Sequence, residues 1–247
     1  MLSIMKTFIA IIAAFVLAVF SLKAQEIQFQ YDFSRSNQAG EAYWTATITG
    51  THPDNFGNTF YFVDFDFAKT SGDKVVYGDI QRSLNFWQNT KFKDLSVLVE
   101  YNGGLLHVGG NFGQAFLTGL GYAFHDDEYR NYFEVQALYR KHFRNIFGDP
   151  VQAIPVQISL VWTCIDLFDV KGLLFTGFLD FWWQDGYVSE KNVKTTFTSE
   201  PQLWYNVGQH FGVDNLHIGG EVEVSMNMYS ATQHVTVWPA AGVRWTF

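Results

Sequence analysis

Hydrophobic and polar residues alternate along most of the chain after residue 24. In the last stretch, Val235 to Phe247, the odd-numbered positions are almost all apolar, whereas the even-numbered positions include Thr236, Trp238 and Arg244. Successive side chains of a β-strand point to opposite faces, so this period of two predicts a strand with one apolar face and one mixed face.

The same alternation appears in eleven earlier runs, and no helical periodicity competes with it. Segments rich in Gly, Asn, Asp and Pro separate the runs, as expected of turns and loops. We therefore predict twelve strands, within residues 27–34, 44–49, 60–67, 74–86, 95–102, 113–124, 133–140, 156–163, 173–184, 197–206, 218–227 and 235–247.

Two single residues and one whole run disturb the pattern. Arg82 lies on the apolar side of the fourth run, so a bulge or a strand end is expected there. The sixth run is rich in glycine, and its register stays open. Pro239 cannot donate a ladder hydrogen bond, so we also expect a bulge in the last strand.

Residues 1–24 have the pattern of a secretory signal peptide. Lys6 supplies a positive charge, an uninterrupted apolar run extends from Phe8 to Phe20, and Leu22-Lys-Ala24 offers a small-residue cleavage site. The apolar run is shorter than the roughly 20 residues that a membrane-spanning helix needs. We therefore expect residues 1–24 to be removed on export and residues 25–247 to form one domain.

The composition narrows the class of protein. Aromatic residues make up 18% of the chain and charged residues only 16%, whereas charged residues reach about 25% in ordinary soluble domains. The net charge is −8 and no basic cluster is present, which argues against nucleic acid as a partner. The single cysteine, Cys164, excludes an internal disulfide. An exported aromatic-rich sandwich and a membrane barrel both fit these values.

Two features favour the barrel. Aromatic residues lie near strand ends on the apolar face, as at membrane interfaces, and carboxylates lie in mid-strand on the other face, where water in a lumen would hydrate them. An even number of tilted strands of about 10 residues suffices for a bacterial barrel, and closure removes unpaired edges. We predict an all-β fold: a 12-stranded antiparallel transmembrane β-barrel of the outer membrane, closed by its first and last strands.

Several segments carry a resemblance over essentially the whole mature chain: Gly57–Asp66, Leu84–Trp87, Val99–Gly104, Phe178–Trp182, Ser199–Trp204 and Trp245–Phe247. They resemble an uncharacterised outer-membrane family that is similar to the nucleoside-specific channel-forming (Tsx-like) superfamily. The resemblance implies a Gram-negative outer-membrane porin of twelve strands through which nucleosides diffuse. No nucleoside-contacting position of that superfamily can be matched to this chain, so none is carried over.

The ending of the chain also resembles the closing strand of bacterial outer-membrane barrels, which serves as an assembly signal. The resemblance implies that the barrel-assembly machinery is a partner through the strand that ends in Phe247. Outer-membrane lipid is the second expected partner.

The polar series of the strands, assigned to the interior, predicts an acidic lumen. This face carries ten carboxylates against two arginines, Arg140 and Arg244, while the side of Arg82 stays open. Cations and neutral polar solutes should therefore be favoured over anions, although crowded carboxylates share protons and weaken the effect. An aromatic ring beside a carboxylate suits a nucleoside, because the base stacks with ~1–3 kcal/mol while ribose hydroxyls donate to the acid; sugars fit the same pairing. The candidate lumen and solute-binding residues are Phe60, Phe62, Asp64, Asp66, Glu100, Glu134, Arg140, Asp180, Trp182, Glu200, Trp204, Glu221, Glu223, Trp238 and Arg244.

The structural alternative for each of these residues is side-chain packing. Narrow barrels fill their interiors, and buried charges there pair with one another. On this reading, the chain is a closed structural barrel without transport.

An enzyme is the other alternative, because some twelve-stranded barrels are lipases. Such an enzyme needs a Ser–His pair, yet no G-x-S-x-G motif accompanies the histidines. His142, His217 and His234 show no H-x-x-x-H metal spacing. We therefore predict no catalytic residues, no metal and no cofactor, and a passive channel for small polar solutes, nucleosides first among them.

Overall fold

The computed structural model describes residues 25–33, 42–67, 75–106, 111–144, 150–185, 193–227 and 235–247, so the expected signal peptide lies outside the described residues. No helix in these ranges is long and apolar enough to cross a membrane. The strands are β1 (Glu26–Asp32), β2 (Tyr43–Asp54), β3 (Gly57–Asp66), β4 (Val75–Leu84), β5 (Leu95–Leu106), β6 (Asn111–His125), β7 (Asn131–His142), β8 (Ala153–Ile165), β9 (Leu173–Asp185), β10 (Val193–Ser199), β11 (Gln202–Tyr205), β12 (Leu216–Met226) and β13 (Val235–Thr246).

The strands form one antiparallel sheet that closes on itself. Successive strands pair in chain order, and β13 pairs with β1 in a register that places Gln28 opposite Arg244. The predicted pairing of the first and last strands is therefore confirmed. Closure leaves no unpaired sheet edge in the ring, as a hydrocarbon environment requires.

The tenth barrel strand is built in two pieces, because the backbone breaks at Glu200 and Pro201. Both β10 and β11 pair with β9 on one side and with β12 on the other. Counting the two pieces as one strand gives the twelve-stranded barrel that the sequence predicts, whereas the expected unbroken run over 197–206 was wrong. Proline cannot donate to a ladder, which explains why the interruption falls here.

Gly177 of β9 lies opposite the break. It has φ +155, and a Cβ placed on it would lie 2.4 Å from the backbone oxygen of Glu200. Two donors converge on the next residue: the backbone nitrogen of Glu200 and the Ser199 hydroxyl donate to the oxygen of Phe178, at 3.1 Å and 2.8 Å. The break is thus fixed by hydrogen bonds and by the missing side chain of Gly177.

Of the bulge or strand end expected at Arg82, the structure shows the strand end, since β4 stops at Leu84, and the bulge expected at Pro239 is absent. Both ladders of β4 run without a register shift, and Arg82 lies on the outer face near the strand end, where it pairs with Asp54 at 2.8 Å. The β12–β13 ladder also runs unbroken past Pro239. The oxygen of Pro239 accepts from the nitrogen of Phe33 at 3.1 Å, so its backbone faces β1 just where that strand has ended and no donor is required.

The register shifts that do occur lie elsewhere. One falls between Asn102 and Gly104 in the β5–β6 ladder, and the other between Ile154 and Gln157 in the β8–β9 ladder. The second spans Pro155, which fits the rule that proline in a sheet marks a bulge.

The outer face of the barrel is apolar and exposed. Its large side chains include rings that contact one another, such as Phe181 and Trp183, with centroids 4.9 Å apart. A continuous exposed surface of this kind is far larger than soluble monomers carry, and it suits lipid. Exposed members on the strands include Phe29, Trp44, Ile80, Tyr101, Phe116, Leu120, Tyr122, Phe124, Tyr139, Ile158, Leu203, Ile218, Val243 and Trp245.

The register of the sixth strand, open in the sequence, is decided by packing. Ala115 and Leu117 point inward and are fully buried, whereas Phe116 and Leu120 lie outside. Leu117 joins Leu98 and Leu138 in an apolar cluster inside the barrel. We call Leu98, Ala115, Leu117 and Leu138 the dry cluster, because their buried side chains fill the interior beside β5, β6 and β7.

Turns at one end of the barrel are linked to their neighbours. At this end, which we call the terminal rim, the nitrogen of Phe247 donates to the oxygen of Gln25 at 2.9 Å. The links join Gln88 to Asn55, His125 to Asp94, Arg130 to Asp166, Gln209 to Lys171 and Asn215 to Thr246. They connect the strand ends of neighbouring hairpins around this rim.

Candidate functional site: the acidic lumen

Fourteen of the fifteen candidate residues lie on the inner parity of their strands, and Glu200 lies in the break between β10 and β11. On β3, for example, Asp64 and Asp66 accept hydrogen bonds from Thr47 and Thr45 of the neighbouring strand, at 2.6 Å and 2.9 Å. Whether these residues bind a solute stays a prediction. The structure divides them by environment.

The first group lies beside the dry side of the lumen. Glu100 is only 6% exposed and accepts from Gln81 at 2.8 Å and from Asn102 at 2.9 Å. Gln81 in turn meets Gln136 at 3.3 Å, although three strand-to-strand steps separate β4 from β7. Amide side chains therefore bridge the interior here, as in a filled barrel.

Glu134 belongs to the same side but lies towards the terminal rim. It is buried and accepts from the hydroxyl of Tyr132 at 2.6 Å. This short bond satisfies the carboxylate within its own strand. Glu134 therefore has a structural role that the sequence pattern alone did not reveal.

Arg140 is the cation of this part of the lumen. Its guanidinium lies over the ring of Trp182, 4.7 Å from the centroid, and Nη1 donates to Gln157 at 2.5 Å. It also interacts electrostatically with Asp79 and Asp180. The arginine thus offsets the negative charge next to the dry cluster while its flat face packs on an aromatic ring.

A second acidic group surrounds the break in the tenth strand. The carboxylate of Glu200 is within electrostatic range of Asp64, Asp180, Glu221 and Glu223. These side chains come from β3, β9 and β12 as well as from the break, and they face the same lumen. The three carboxylates Asp64, Glu200 and Glu221 are half-buried, unlike Glu100 and Glu134.

Glutamines connect this group to the terminal rim. Gln202 donates to Glu221 at 2.9 Å and accepts from the indole nitrogen of Trp204 at 2.9 Å. The amide of Gln28 on β1 reaches Gln202 on β11 at 3.5 Å, across the two intervening strands β12 and β13. Trp204 is fully buried, so its ring is a packing element of this wall.

At the rim itself, Arg244 forms an ion pair with Glu26. The two residues come from β13 and β1, so the pair lies across the seam where the barrel closes. Arg244 is half-buried and faces the lumen. The only two arginines of the predicted lumen thus lie in different places, one at the rim and one beside the dry cluster.

The aromatic residues of the lumen also separate into two kinds. Trp182, Trp204 and Trp238 are at most 4% exposed. Phe60 and Phe62 are half-buried, with centroids 6.2 Å apart, and Phe62 contacts Tyr77 at 6.1 Å. An accessible aromatic surface therefore lies on β3 and β4, directly beside Asp64.

Sequence reasoning missed the glutamines and threonines of the lumen. Gln28, Gln30 and Gln157 are 2% exposed or less, and they carry the hydrogen-bond network between the charged groups. Their inner parity was visible in the strand pattern. Only the charged and aromatic residues of that face were chosen as candidate lumen residues, because an isolated amide side chain carries no recognisable sequence motif.

The histidines do not assemble a catalytic or metal site among the described residues. His125 bonds to Asp94 and to the oxygen of Asp126, and His210 bonds to Tyr205. No group of three His, Cys, Asp or Glu in the described ranges could hold a metal ion. His234 lies outside the described residues.

Comparison with known proteins identifies a family but no function. Residues 24–247 match a family model described as a domain of unknown function, DUF5020. No curated protein matches the chain. The expected resemblance to an uncharacterised family is confirmed at that level, and the likeness to Tsx channels stays a prediction.

Among solved structures, the chain is similar to the Acinetobacter baumannii outer membrane protein Omp33, at 11% identity and TM-score 0.43, covering 92% of this chain and 99% of that one. It is also similar to Pseudomonas aeruginosa OccK10 (OpdN), at 8% identity and TM-score 0.45, covering 91% and 98%. Because these TM-scores are below 0.5, the barrel assignment rests on the strand ladders described above.

Proposed function

The chain belongs to the DUF5020 family, and we propose that it is an outer-membrane channel for passive diffusion of small polar solutes through a narrow acidic lumen. The observation that carries the proposal is the contrast within the lumen. Asp64, Glu200 and Glu221 keep part of their surface accessible, whereas the opposite wall is sealed by Leu98 and Leu117, which are fully buried. A water-accessible strip in a packed barrel is what a narrow channel needs.

The exposed apolar surface supports an outer-membrane location. A barrel that exposes Phe, Trp, Leu and Val outside and carboxylates inside inverts the pattern of a soluble domain, and lipid is the solvent that stabilises it. Export by the segment 1–24 and insertion by the barrel-assembly machinery through Phe247 belong to the same proposal. Both follow from the sequence pattern.

The charge of the lumen determines which solutes pass. The strip contains Asp64, Glu200 and Glu221, and no described lysine, arginine or histidine makes an ion pair with any of them. A low-dielectric wall focuses this negative potential along the lumen. Cations and neutral polar solutes should therefore pass faster than anions.

Nucleosides are the neutral solute class that we propose first. The half-buried rings of Phe60 and Phe62 lie next to Asp64 on one strand, so a base could stack while a ribose hydroxyl donates to the carboxylate. The buried tryptophans are engaged in packing and are poor candidates. Sugars would use the same ring–carboxylate pairing.

Liposome uptake tests the channel. Purified protein is reconstituted, and uptake of labelled uridine is compared with uptake of labelled uridine 5′-monophosphate, which has the same base and sugar but is anionic. We expect uridine to enter faster than into empty liposomes and the monophosphate to enter more slowly than uridine. Equal rates in protein-containing and empty liposomes for every solute would contradict the channel.

A closed structural barrel is the second candidate, and the packing of the lumen favours it. Side chains bridge the interior from Gln81 to Gln136 and from Gln28 to Gln202. If these bridges persist in the membrane, they leave no continuous path. Failure of both uptake and ion conductance in planar bilayers would establish this alternative.

A further inference from the structure

The group of carboxylates around the strand break has an excess of acceptors. Asp64 accepts from the hydroxyl of Thr47, and Glu221 accepts from the amide of Gln202. Both donors are neutral. Glu200 lies among four other carboxylates, and no ion pair joins it to a described basic side chain. The acids of this group are therefore hydrogen-bonded by neutral donors and make no ion pair with a described basic side chain.

Two buried oxygen atoms beside these carboxylates also lack a donor among the described residues. Gln30 is 1% exposed, its amide reaches Glu221, and its Oε1 has no hydrogen-bond partner. Thr198 is 5% exposed, and its Oγ1 has no partner. Thr198 faces the lumen between Asp180 and Ser225 in the two ladders.

A buried acceptor without a donor is costly, since the desolvation of a polar group is about 1–3 kcal/mol when no hydrogen bond replaces water. The amide oxygen of Gln30 can only accept, and a carboxylate ion can only accept. A ligand that satisfies them must supply N–H or O–H donors. A positively charged ligand is favoured as well, because it stabilises the ionised form of the surrounding acids.

The other half of the lumen shows how such a cation is held. There the guanidinium of Arg140 packs on Trp182 and donates to Gln157, next to Asp79 and Asp180. The acids and acceptors around Glu200 make no ion pair with a described cation. A diffusing nitrogen cation would complete this group in the same way.

The spacing of the acids argues for an organic cation. The described carboxylates do not form a group of three that could hold one metal ion. They are instead distributed over β3, β12 and the strand break, around the lumen wall. A flexible molecule with an ammonium group at each end can reach two of them at once.

We propose that the lumen between Asp64, Glu200 and Glu221 binds protonated amines, and diamines in particular. The amine N–H groups donate to the carboxylates and to the orphan oxygens of Gln30 and Thr198. The inference deepens the proposed function, since it names a solute class for the same lumen. Binding is nevertheless measured without transport, so the two can fail separately.

Calorimetric titration of the detergent-folded full barrel with 1,4-diaminobutane tests the site. We expect saturable binding that 1,4-butanediol, the neutral analogue of equal length, does not show. Glu200→Gln should weaken diamine binding about tenfold or more, which corresponds to about 1.4 kcal/mol, and Glu221→Gln should also weaken it. The matched control is Glu128→Gln, which makes the same chemical change on an exposed turn and should leave the affinity within about twofold.

Each other outcome has a defined meaning. Three results would overturn the amine site. The diamine could release no more heat than sodium chloride at the same ionic strength, or magnesium could bind as tightly as the diamine. The third is an unchanged diamine affinity in both folded lumen variants. Retention of the folded, heat-modifiable gel band shows that each variant has kept its barrel. Saturable binding without uptake or conductance would remove the channel and keep the site, whereas uptake without diamine binding would remove the site alone.

Discussion

The guanidinium of Arg140 lies 4.7 Å from the centroid of the Trp182 ring, although β8 separates their strands. The contact therefore spans β8 along one inner wall, where Gln157 of β8 accepts a hydrogen bond from the same guanidinium. Arg140 is 5% exposed and Trp182 4% exposed, so the pair is largely shielded from water. A cation–π contact in such a desolvated place stabilises by about 2 kcal/mol.

Replacement of this arginine should destabilise the barrel. Arg140→Met keeps much of the volume but removes the contact with Trp182 and leaves Asp79 and Asp180 without their cation, so we expect a loss of about 3 kcal/mol in the free energy of unfolding. Urea unfolding in lipid vesicles measures it. Lys141→Met removes a positive charge from the exposed side of the same strand, and a loss equal to that of Arg140→Met would contradict the role of the pair.

The dry cluster gives a second prediction. Leu117→Ala opens a cavity among Leu98 and Leu138 and should cost about 2–5 kcal/mol. Leu120→Ala is the matched control on the same strand, since Leu120 is 50% exposed on the outer face, and it should cost less. We also expect a larger single-channel conductance only for the inner variant. Equal effects of the two substitutions on stability would show that Leu117 is not part of a packed wall.

The strand break gives a third prediction. Gly177→Ala places a Cβ 2.4 Å from the backbone oxygen of Glu200 at φ +155, so the break must move, and we expect a loss of more than about 2 kcal/mol. Gly212→Ala, at φ +71 with open space around it, should lose only about 1–2 kcal/mol, the cost of a left-handed residue. The midpoints of urea unfolding decide between them. A smaller loss for Gly177→Ala than for Gly212→Ala would exclude a backbone clash.

Ion selectivity gives a fourth prediction. The double variant Glu200→Gln with Glu221→Gln removes two carboxylates from the water-accessible strip, so the preference for potassium over chloride should fall. Reversal potentials in a salt gradient across planar bilayers measure the change. Glu128→Gln should leave them unaltered. If the double variant also keeps the reversal potential of the unmodified protein, the strip is not on the ion path.

Assembly gives a fifth prediction. The backbone of Phe247 is tied to Gln25 by a 2.9 Å hydrogen bond, and its ring is 64% exposed, so an assembly factor can reach the ring. Phe247→Ala should lower the amount of folded barrel in outer-membrane fractions several-fold. Val243→Ala, on the same face of the same strand, should have little effect. Equal levels of all three proteins would remove Phe247 as the signal.

Much of the fold could be predicted because a barrel strand must alternate. Val237 and Val243 alternate with Trp238 and Arg244, and the structure places the two sets on opposite faces. The period of two is a local property of the backbone, so it is readable without knowledge of the partners. Pairing of the first and last strands followed from the need to close the ring.

The errors arose where a residue's effect depends on its neighbouring strand. Pro239 causes no bulge, because its nitrogen side faces β1 beyond the end of that strand. Pro201, by contrast, interrupts the ladder beside Gly177. The two prolines are alike in sequence, and only their ladder partners distinguish them.

The sequence by itself determined which face the side chains occupy on every strand but the sixth, and it determined the acidic excess of the inner face. The tertiary structure decided which inner residues meet: Arg140 meets Trp182, Leu98 and Leu117 seal one wall, and Glu200 lies among carboxylates from β3, β9 and β12. These contacts depend on strand stagger and barrel diameter, which no single strand encodes. For that reason, the charge of the lumen was predictable, whereas its division into a dry wall and a water-accessible acidic strip was not.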